Sequence, residues 1–270
     1  MNLPYSAPCV YLYRHRRRPV MGTHNENPVT RAAYNEQSGT WCKPASRHEQ
    51  AIYPLITPHP RILAPIRFSE HHMELEYHPR GDLWAHLIAF DVPIRIRLRW
   101  ALEIAEGLAY MHSRSVVWGD VHFGNVLVTE DDHVVLCDFG SATRTNKRRW
   151  PPATPSISAA ADPTVFDAPS YLPTPTHADI FSFGVMLFAL IALRFPWAED
   201  ITPCREEHAL AAQNHTLRRF DTLEDRELAE TFGTVLEGCF RGGYSTGREL
   251  LHALKGGLQD YWDDVDGFLV

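Results

Sequence analysis

The sequence predicts an α+β fold of two lobes: a small, degenerate or truncated N-terminal lobe rich in strands, and a larger, mainly helical C-terminal lobe. Short apolar runs separated by turn residues lie before residue 80, whereas helical periodicity dominates after residue 94. Strands first and helices later is an order typical of α+β proteins. The chain has 270 residues, 44% of them hydrophobic, which is enough to bury a sizeable core.

This pattern divides the chain into three stretches. Residues 1–45 are predicted to be an irregular segment with a degenerate start of the small lobe. Pro, Asn, Ser, Thr and the basic cluster Arg14–Arg18 dominate there without a clean period. Residues 46–77 form the remainder of the small lobe, and residues 78–270 form the large lobe. No internal repeat is visible.

The predicted small lobe contains one helix and two strands. Ser46 and Glu49 form a capping-box pattern ahead of an apolar stripe, and His59-Pro60 marks the end of that helix. Strands are then predicted at 61–68 and 73–77, because two apolar runs flank a polar turn.

The large lobe is predicted to begin with a polar link that opens a helix near residue 83. An amphipathic helix is predicted over 94–112, because its apolar residues fall mostly on one stripe. A long loop rich in Pro, Ser, Thr and Ala occupies 141–178. The remaining elements are short strands at 116–117, 126–128 and 134–137, and helices at 178–193, 208–218, 225–240 and 246–256.

Charge and composition argue against several classes of partner. The net charge of −7 disfavours nucleic acid. The longest apolar run, Ile180–Leu193, is too short to span a bilayer comfortably, so a buried helix is expected. The five cysteines are scattered and show no metal-ligand spacing, and no secretory pattern opens the chain. These features favour a reducing, intracellular location, cytoplasmic or nuclear.

Three polar side chains stand at the ends of short apolar strands in the middle of the chain. Asp120 and Asn125 precede the strand at 126–128, and Asp138 follows the strand at 134–137. A β-hairpin would bring the three together. Carboxylate and amide oxygens suit Mg²⁺, which keeps substrate phosphates among its ligands. The segment therefore predicts a centre that handles phosphate.

The same residues carry a resemblance to a known family. Asp120 and Asn125 match the spacing of H-R-D-L-x-x-x-N, and Asp138-Phe139-Gly140 matches D-F-G. Three further stretches resemble motifs of that family in the same order: 73–83 as the adenine-binding hinge, 168–170 as A-P-E, and 178–184 as a buried helix. From about Glu49 to Leu254, the chain resembles the eukaryotic-type protein kinases.

The resemblance implies ATP and Mg²⁺ as cofactors and specific roles for these residues. Asp120 would orient the substrate hydroxyl and accept its proton. Asn125 and Asp138 would hold Mg²⁺ against the phosphates. Asp179 would be buried and would accept N–H bonds from the catalytic loop.

The resemblance also implies a set of nucleotide-binding residues. Backbone groups of the hinge would bond adenine, Asp82 would reach the ribose, and Leu75 would gate the pocket behind it. Lys43 is the one lysine before the hinge, and it would pair with the helix glutamate Glu49. The complete set is Lys43, Glu49, Glu76, His78, Asp82, His122, Leu127 and Cys137.

The sequence departs from the family at several of these positions. Trp118 and Gly119 replace the His and Arg of H-R-D, and without that Arg a phosphorylated activation loop lacks its usual charge partner. His122 stands where a Lys commonly touches the γ-phosphate. Before residue 60 the glycines are Gly22 and Gly39, so no G-x-G-x-x-G loop covers the phosphates.

Three functions remain open at this point. The retained acidic residues favour an active kinase that phosphorylates Ser or Thr hydroxyls of proteins. The missing glycine loop and Arg favour a pseudokinase that acts as a binding or scaffold module. The run 119–125 is similar to the G-D-x-H-x-x-N of aminoglycoside and choline kinases, which favours a small-molecule phosphotransferase.

Overall fold

The structure, a computed structural model, describes residues 32–145, 174–196, 223 and 225–263. The helix predicted at 208–218, the A-P-E-like residues 168–170, most of the loop at 141–178 and the first 31 residues lie outside this part. Within it, the fold has a small sheet-rich N-terminal lobe and a helical C-terminal lobe. The predicted fold class is confirmed.

The small lobe contains a four-stranded antiparallel sheet in the order β1-β2-β4-β3. The strands are β1 (Ala33–Asn35), β2 (Thr40–Pro44), β3 (Pro65–Phe68) and β4 (His72–Glu76). Within the stretch predicted as an irregular segment with a degenerate start of the small lobe, residues 33–35 and 40–44 thus form two regular strands. These strands have three and five residues, too few to show a period of two, and a tight turn joins them at Gly39, whose φ is +67°.

Helix α1 (Arg47–Ile56) follows β2 almost directly. The Ser46 side chain accepts a hydrogen bond from the Glu49 N–H at 3.0 Å, as the capping pattern predicts. The reciprocal half of the capping box is not formed, because the Glu49 carboxylate bonds to Lys43 instead. The helix ends at Ile56, three residues before the predicted stop at His59.

The large lobe is built on helices that surround one buried helix. They are α2 (Leu83–Ala89), α3 (Ile94–Ser113), α4 (Pro175–Ala192), α5 (Arg226–Arg241) and α6 (Gly247–Asp263). Helix α4 packs against α3 and α5. A Cβ atom at Gly184 would lie 2.5 Å from the Cβ of Cys239, so this glycine lets α4 and α5 approach closely.

Helix α4 is the one described helix that is long and apolar enough to cross a membrane. Its apolar window is 72% buried inside the protein. This burial supports the prediction that the run belongs to a core helix.

Two small two-stranded sheets, the first of them a hairpin, lie next to the polar residues that the sequence singled out. Strand β6 (Val126–Val128) pairs with β7 (Val134–Leu136), and β5 (Val116–Val117) pairs with β8 (Thr143–Arg144). The first hairpin places Asn125 and Asp138 at the same end, as expected from the sequence. An isolated bridge between Asp82 and Leu127 ties this hairpin to the link that opens α2, and another between Ile62 and Leu136 ties it to the segment between α1 and β3.

Candidate active site

A buried lysine joins the two lobes at the centre of the cleft. Lys43 Nζ lies 2.9 Å from Glu49 Oε1 and 2.9 Å from Asp138 Oδ1. The Lys43 side chain is 11% exposed and the Glu49 side chain 4%. The two partners come from α1 and from the segment after β7, so one ammonium group ties three parts of the chain together.

The pKa values of this cluster reflect burial opposed by pairing. Burial acts to lower the pKa of Lys43, but the carboxylates of Asp138 and Glu49 outweigh it, and that pKa is raised. Burial acts to raise the pKa of Asp138, but the charge and hydrogen bond of Lys43 outweigh it, and that pKa is lowered. Burial raises the pKa of Glu49 despite Lys43.

Replacing Lys43 with Met is expected to destabilise the protein by about 2–4 kcal/mol at neutral pH, because two carboxylates lose their shared cation. The loss should be smaller at acidic pH than at neutral pH. Glu49, whose pKa is already raised, then takes up a proton, and the repulsion between Glu49 and Asp138 is relieved. The free energy of unfolding in urea, measured at both pH values, checks this result.

Lys255→Met is the matched control for this substitution. Lys255 lies 3.8 Å from Glu106, and its side chain is 52% exposed. Such a surface pair contributes at most about 1 kcal/mol. A Lys43→Met loss that equals the control, or that grows as the pH falls, would contradict the role of Lys43 as the shared counter-charge.

The catalytic-loop residues Asp120 and Asn125 are held together by the Asn125 amide. Asn125 Nδ2 donates to the Asp120 carbonyl at 3.0 Å and to Asp120 Oδ2 at 3.0 Å. Both bonds use the amide nitrogen, so the amide oxygen remains an acceptor for another group. Asn125 is buried, and Asp120 is partly exposed at the mouth of the site.

Asp179 on α4 holds the catalytic loop from below. Its carboxylate accepts hydrogen bonds from the backbone N–H groups of Trp118 at 2.7 Å and Gly119 at 2.8 Å. His112 Nε2 lies 3.0 Å from the same carboxylate. The prediction of a buried carboxylate that accepts N–H bonds from the catalytic loop is confirmed.

Trp118 supplies a contact that the sequence analysis missed. Its indole Nε1–H donates to the Asp138 carbonyl at 3.0 Å, and its side chain is fully buried. Asp138 has φ +58°, a strained conformation for a non-glycine residue, and the indole bond supports it. Phe139 is buried next to it, with its ring against Tyr53 at a centroid distance of 5.3 Å.

The segment after Gly140 is anchored mainly by main-chain bonds. Ala142 N–H donates to the Phe139 carbonyl at 3.1 Å, and Thr145 N–H donates to the Ser115 carbonyl at 2.9 Å. Between them, β8 pairs with β5. On the α1 side, His48 Nε2 donates to the Ala142 carbonyl at 2.6 Å.

A cleft lies between the lobes above Lys43, with an empty volume of about 280 Å³ that opens to solvent. Four residues predicted to bind nucleotide line it together with Asp138: Lys43, Glu76, Leu127 and Cys137. Leu75, the predicted gate, also lines it. Burial raises the pKa of the Cys137 thiol well above its usual value, so this cysteine is a weak nucleophile.

Trp41 and Leu63 also line the cleft and were missed by the sequence analysis. Trp41 could have been found, because it stands two residues before Lys43 on one strand and therefore shares its face. Leu63 could not, because it reaches the cleft through a bond from its N–H to the Leu136 carbonyl, far along the chain.

Two residues predicted to bind nucleotide, Asp82 and His78, lie outside the lining of the cleft. Asp82 is 4% exposed, and its carboxylate caps α2 by accepting from Ala85 N–H at 2.8 Å. His78 is buried, and its carbonyl accepts from Gly81 N–H at 3.1 Å. Neither belongs to the cleft lining, since both serve the link that opens α2. The prediction that Asp82 reaches the ribose stays untested.

The donor set fits Mg²⁺ and ATP. Asp138 offers a partly exposed carboxylate and Asn125 an amide oxygen, both hard oxygen ligands of the kind Mg²⁺ takes when phosphates complete its shell. Lys43 offers the positive charge that phosphates require. The apolar walls formed by Leu63, Leu75 and Leu127 suit a flat base.

Comparison with known proteins agrees with this site. The family described as protein kinase domain matches residues 25–246. The chain therefore belongs to the protein kinase family.

The curated relatives include proteins named as serine/threonine kinases. The chain is 30% identical over 194 residues to the serine/threonine-protein kinase CTR1 of Arabidopsis thaliana, which covers 66% of this chain and 22% of the relative. It is 28% identical over 152 residues to a serine/threonine-protein kinase US3 homolog of equine herpesvirus 1, covering 54% of this chain and 38% of the relative. The chain thus spans less than half the length of either relative.

Proposed function

We propose that this protein is an active kinase that transfers the γ-phosphate of ATP to a Ser or Thr hydroxyl of a protein. One observation carries the proposal: Lys43 Nζ lies 2.9 Å from both Glu49 and Asp138. This arrangement places a cation beside a carboxylate suited to Mg²⁺, at the floor of a cleft with apolar walls. Lys43 makes both contacts although Pro44 follows it directly and although only a short connection leads from it to α1.

The residues divide the work of an in-line phosphate transfer. Lys43 would bind the phosphates, and Glu49 would hold Lys43 in place. Asn125 and Asp138 would hold Mg²⁺, which when bound neutralises charge on the phosphates. Asp120 would orient the substrate hydroxyl and take its proton as the new P–O bond forms and the bond to ADP breaks.

The choice of a protein Ser or Thr as acceptor rests on the relatives. The relatives from Arabidopsis thaliana and equine herpesvirus 1 are serine/threonine kinases by name. The D-F-G motif and the motif on α4 resemble those of protein kinases rather than those of small-molecule kinases. A small-molecule acceptor is the weaker candidate, supported by the G-D-x-H-x-x-N likeness of residues 119–125 alone.

A binding or scaffold module is the second candidate. Trp118 and Gly119 replace the His and Arg of the family, and the glycine pattern of the phosphate-covering loop is missing from the sequence. These departures would weaken nucleotide binding or transfer without disturbing the fold.

Two measurements test the proposal. Millimolar Mg²⁺-ATP is expected to raise the melting temperature of the protein, because a ligand that binds only the folded state stabilises it. Labelled phosphate should then move from ATP to a generic Ser/Thr protein substrate in preference to choline or an aminoglycoside. If Mg²⁺-ATP produces no thermal shift, a binding or scaffold module becomes the favoured function. If phosphate moves to choline or the aminoglycoside instead, a small-molecule phosphotransferase is favoured.

We also propose that the protein acts inside the cell. Among the residues that the structure describes, the free thiols are those of Cys42, Cys137 and Cys239. Free thiols agree with a reducing compartment. Immunofluorescence of a tagged full chain checks this location.

A further inference from the structure

His122 occupies a buried position beside the catalytic aspartate. Its side chain is 3% exposed, whereas that of Asp120 is 28% exposed. A buried side chain at this point can act on Asp120, on the phosphates, or on the fold of the loop. The hydrogen bonds of the ring distinguish these roles.

One ring nitrogen of His122 is committed to the fold of the loop. Nδ1 accepts a hydrogen bond from the Gly124 N–H at 3.1 Å and caps the short 3₁₀ turn over Phe123–Asn125. An acceptor nitrogen carries no proton, so this bond assigns the neutral tautomer with its proton on Nε2. The imidazole therefore has an N–H donor on the side away from Gly124.

Nε2 lies near one oxygen of Asp120. His122 Nε2 lies 3.7 Å from Asp120 Oδ2, the oxygen that also accepts from Asn125 Nδ2 at 3.0 Å. A distance of 3.7 Å is longer than a hydrogen bond, but such bonds in catalytic sites commonly shorten when substrate binds. Oδ1 accepts no hydrogen bond from the residues that the structure describes.

We propose that His122 is a positioning residue for Asp120, rather than a replacement for a phosphate-binding lysine. Its Nε2–H and the Asn125 amide hold Oδ2 from two sides, which presents Oδ1 to the hydroxyl of the substrate. The inference rests on the proposed kinase function. It assigns Oδ1 of Asp120 as the atom that accepts the proton. It also gives His122 a function other than phosphate binding.

Two variants of His122 separate the roles of its two nitrogens. In His122→Asn the side-chain oxygen can still accept from Gly124, but the amide is too short to reach Asp120. In His122→Gln the longer amide can reach the Nε2 position. We expect kcat of the Asn variant to fall by about 10- to 100-fold, the range for a misplaced catalytic group. The KM for ATP should stay within about twofold. The Gln variant should recover part of kcat.

A change in ATP binding with an unchanged kcat would overturn the proposal. If His122 contacts the γ-phosphate, the Asn variant will raise the KM for ATP or the Kd for Mg²⁺-ATP measured by thermal shift. If both constants and kcat remain unchanged, His122 has no role beyond the fold of the loop. A Gln variant that stays as slow as the Asn variant would also count against positioning through Nε2.

If the wild-type protein transfers no phosphate, the proposed kinase function is wrong, and kinetics cannot test the role of His122. A spectroscopic measurement then tests the position of its proton independently. ¹⁵N spectra of the full chain labelled at histidine should show one ring in the Nε2–H tautomer whose signals vanish in His122→Asn. An Nδ1–H ring at that assignment would show that Nε2 carries no proton to donate, and a doubly protonated ring would show that Nδ1 does not accept from Gly124; either result contradicts the assigned tautomer.

Discussion

Replacing Asp138 with Asn is expected to reduce phosphate transfer by about 100- to 1,000-fold. The substitution keeps the shape of the side chain but removes the charge that would hold Mg²⁺ and that lies 2.9 Å from Lys43 Nζ. Asn can still accept from Lys43, so the fold should survive. The experiment compares initial rates of labelled phosphate transfer with the wild type and records the melting temperature of both proteins.

Asp131→Asn provides the control for Asp138→Asn. Asp131 has a side chain that is 75% exposed in the turn between β6 and β7, and it is not among the residues that line the cleft. The control should therefore transfer phosphate at the wild-type rate. Activity that survives in Asp138→Asn would mean a contaminating kinase or a mechanism in which this carboxylate has no part.

Asp179→Asn should have the largest effect on stability, about 3–5 kcal/mol. The Asp179 side chain is 2% exposed and lies within 3.0 Å of three nitrogens. An amide has one oxygen instead of two, so at least one buried N–H of Trp118 or Gly119 would face an NH₂ group. An unsatisfied buried donor costs about 1–3 kcal/mol, and the lost charge adds to this cost. Urea unfolding measures the change.

The same substitution at a helix cap isolates the effect of the buried network. Asp225 is exposed and caps α5 by accepting from Leu228 N–H at 2.9 Å. Asn is about as good an N-cap as Asp, so Asp225→Asn should change stability by less than about 0.5 kcal/mol. If Asp179→Asn matches this control in stability and wild type in activity, Asp179 does not hold the catalytic loop.

The parts of the fold that follow from local chemistry were predictable from the sequence. Helix α3 was predicted at 94–112 and is observed at Ile94–Ser113, because a stripe of apolar residues over five turns admits few alternatives. The hairpin that carries Asn125 and Asp138 was also predicted. Each of its strands is a short apolar run next to a turn, so the pattern is complete within 20 residues.

The parts that depend on contacts between distant residues were not predictable. Strands β1 and β2 carry no period of their own, and β2 is specified by its pairing with β4, where Lys43 lies opposite Met73. The pair of Lys43 with Glu49 was predicted from the family resemblance, because no local pattern specifies it across the short connection to α1. In the structure, the bond from Ala45 N–H to the His71 carbonyl ends the strand where the helix starts.

The anchoring of the segment after Gly140 has a practical consequence for work with this protein. The bonds that link Ala142 to Phe139 and to His48, and Thr145 to Ser115, all end on a main-chain carbonyl, and position 119 has no arginine for an added phosphate to attract. The observed arrangement of residues 139–145 therefore requires no covalent modification. In protein made in a bacterial host without any upstream enzyme, residues 139–145 should already have this arrangement.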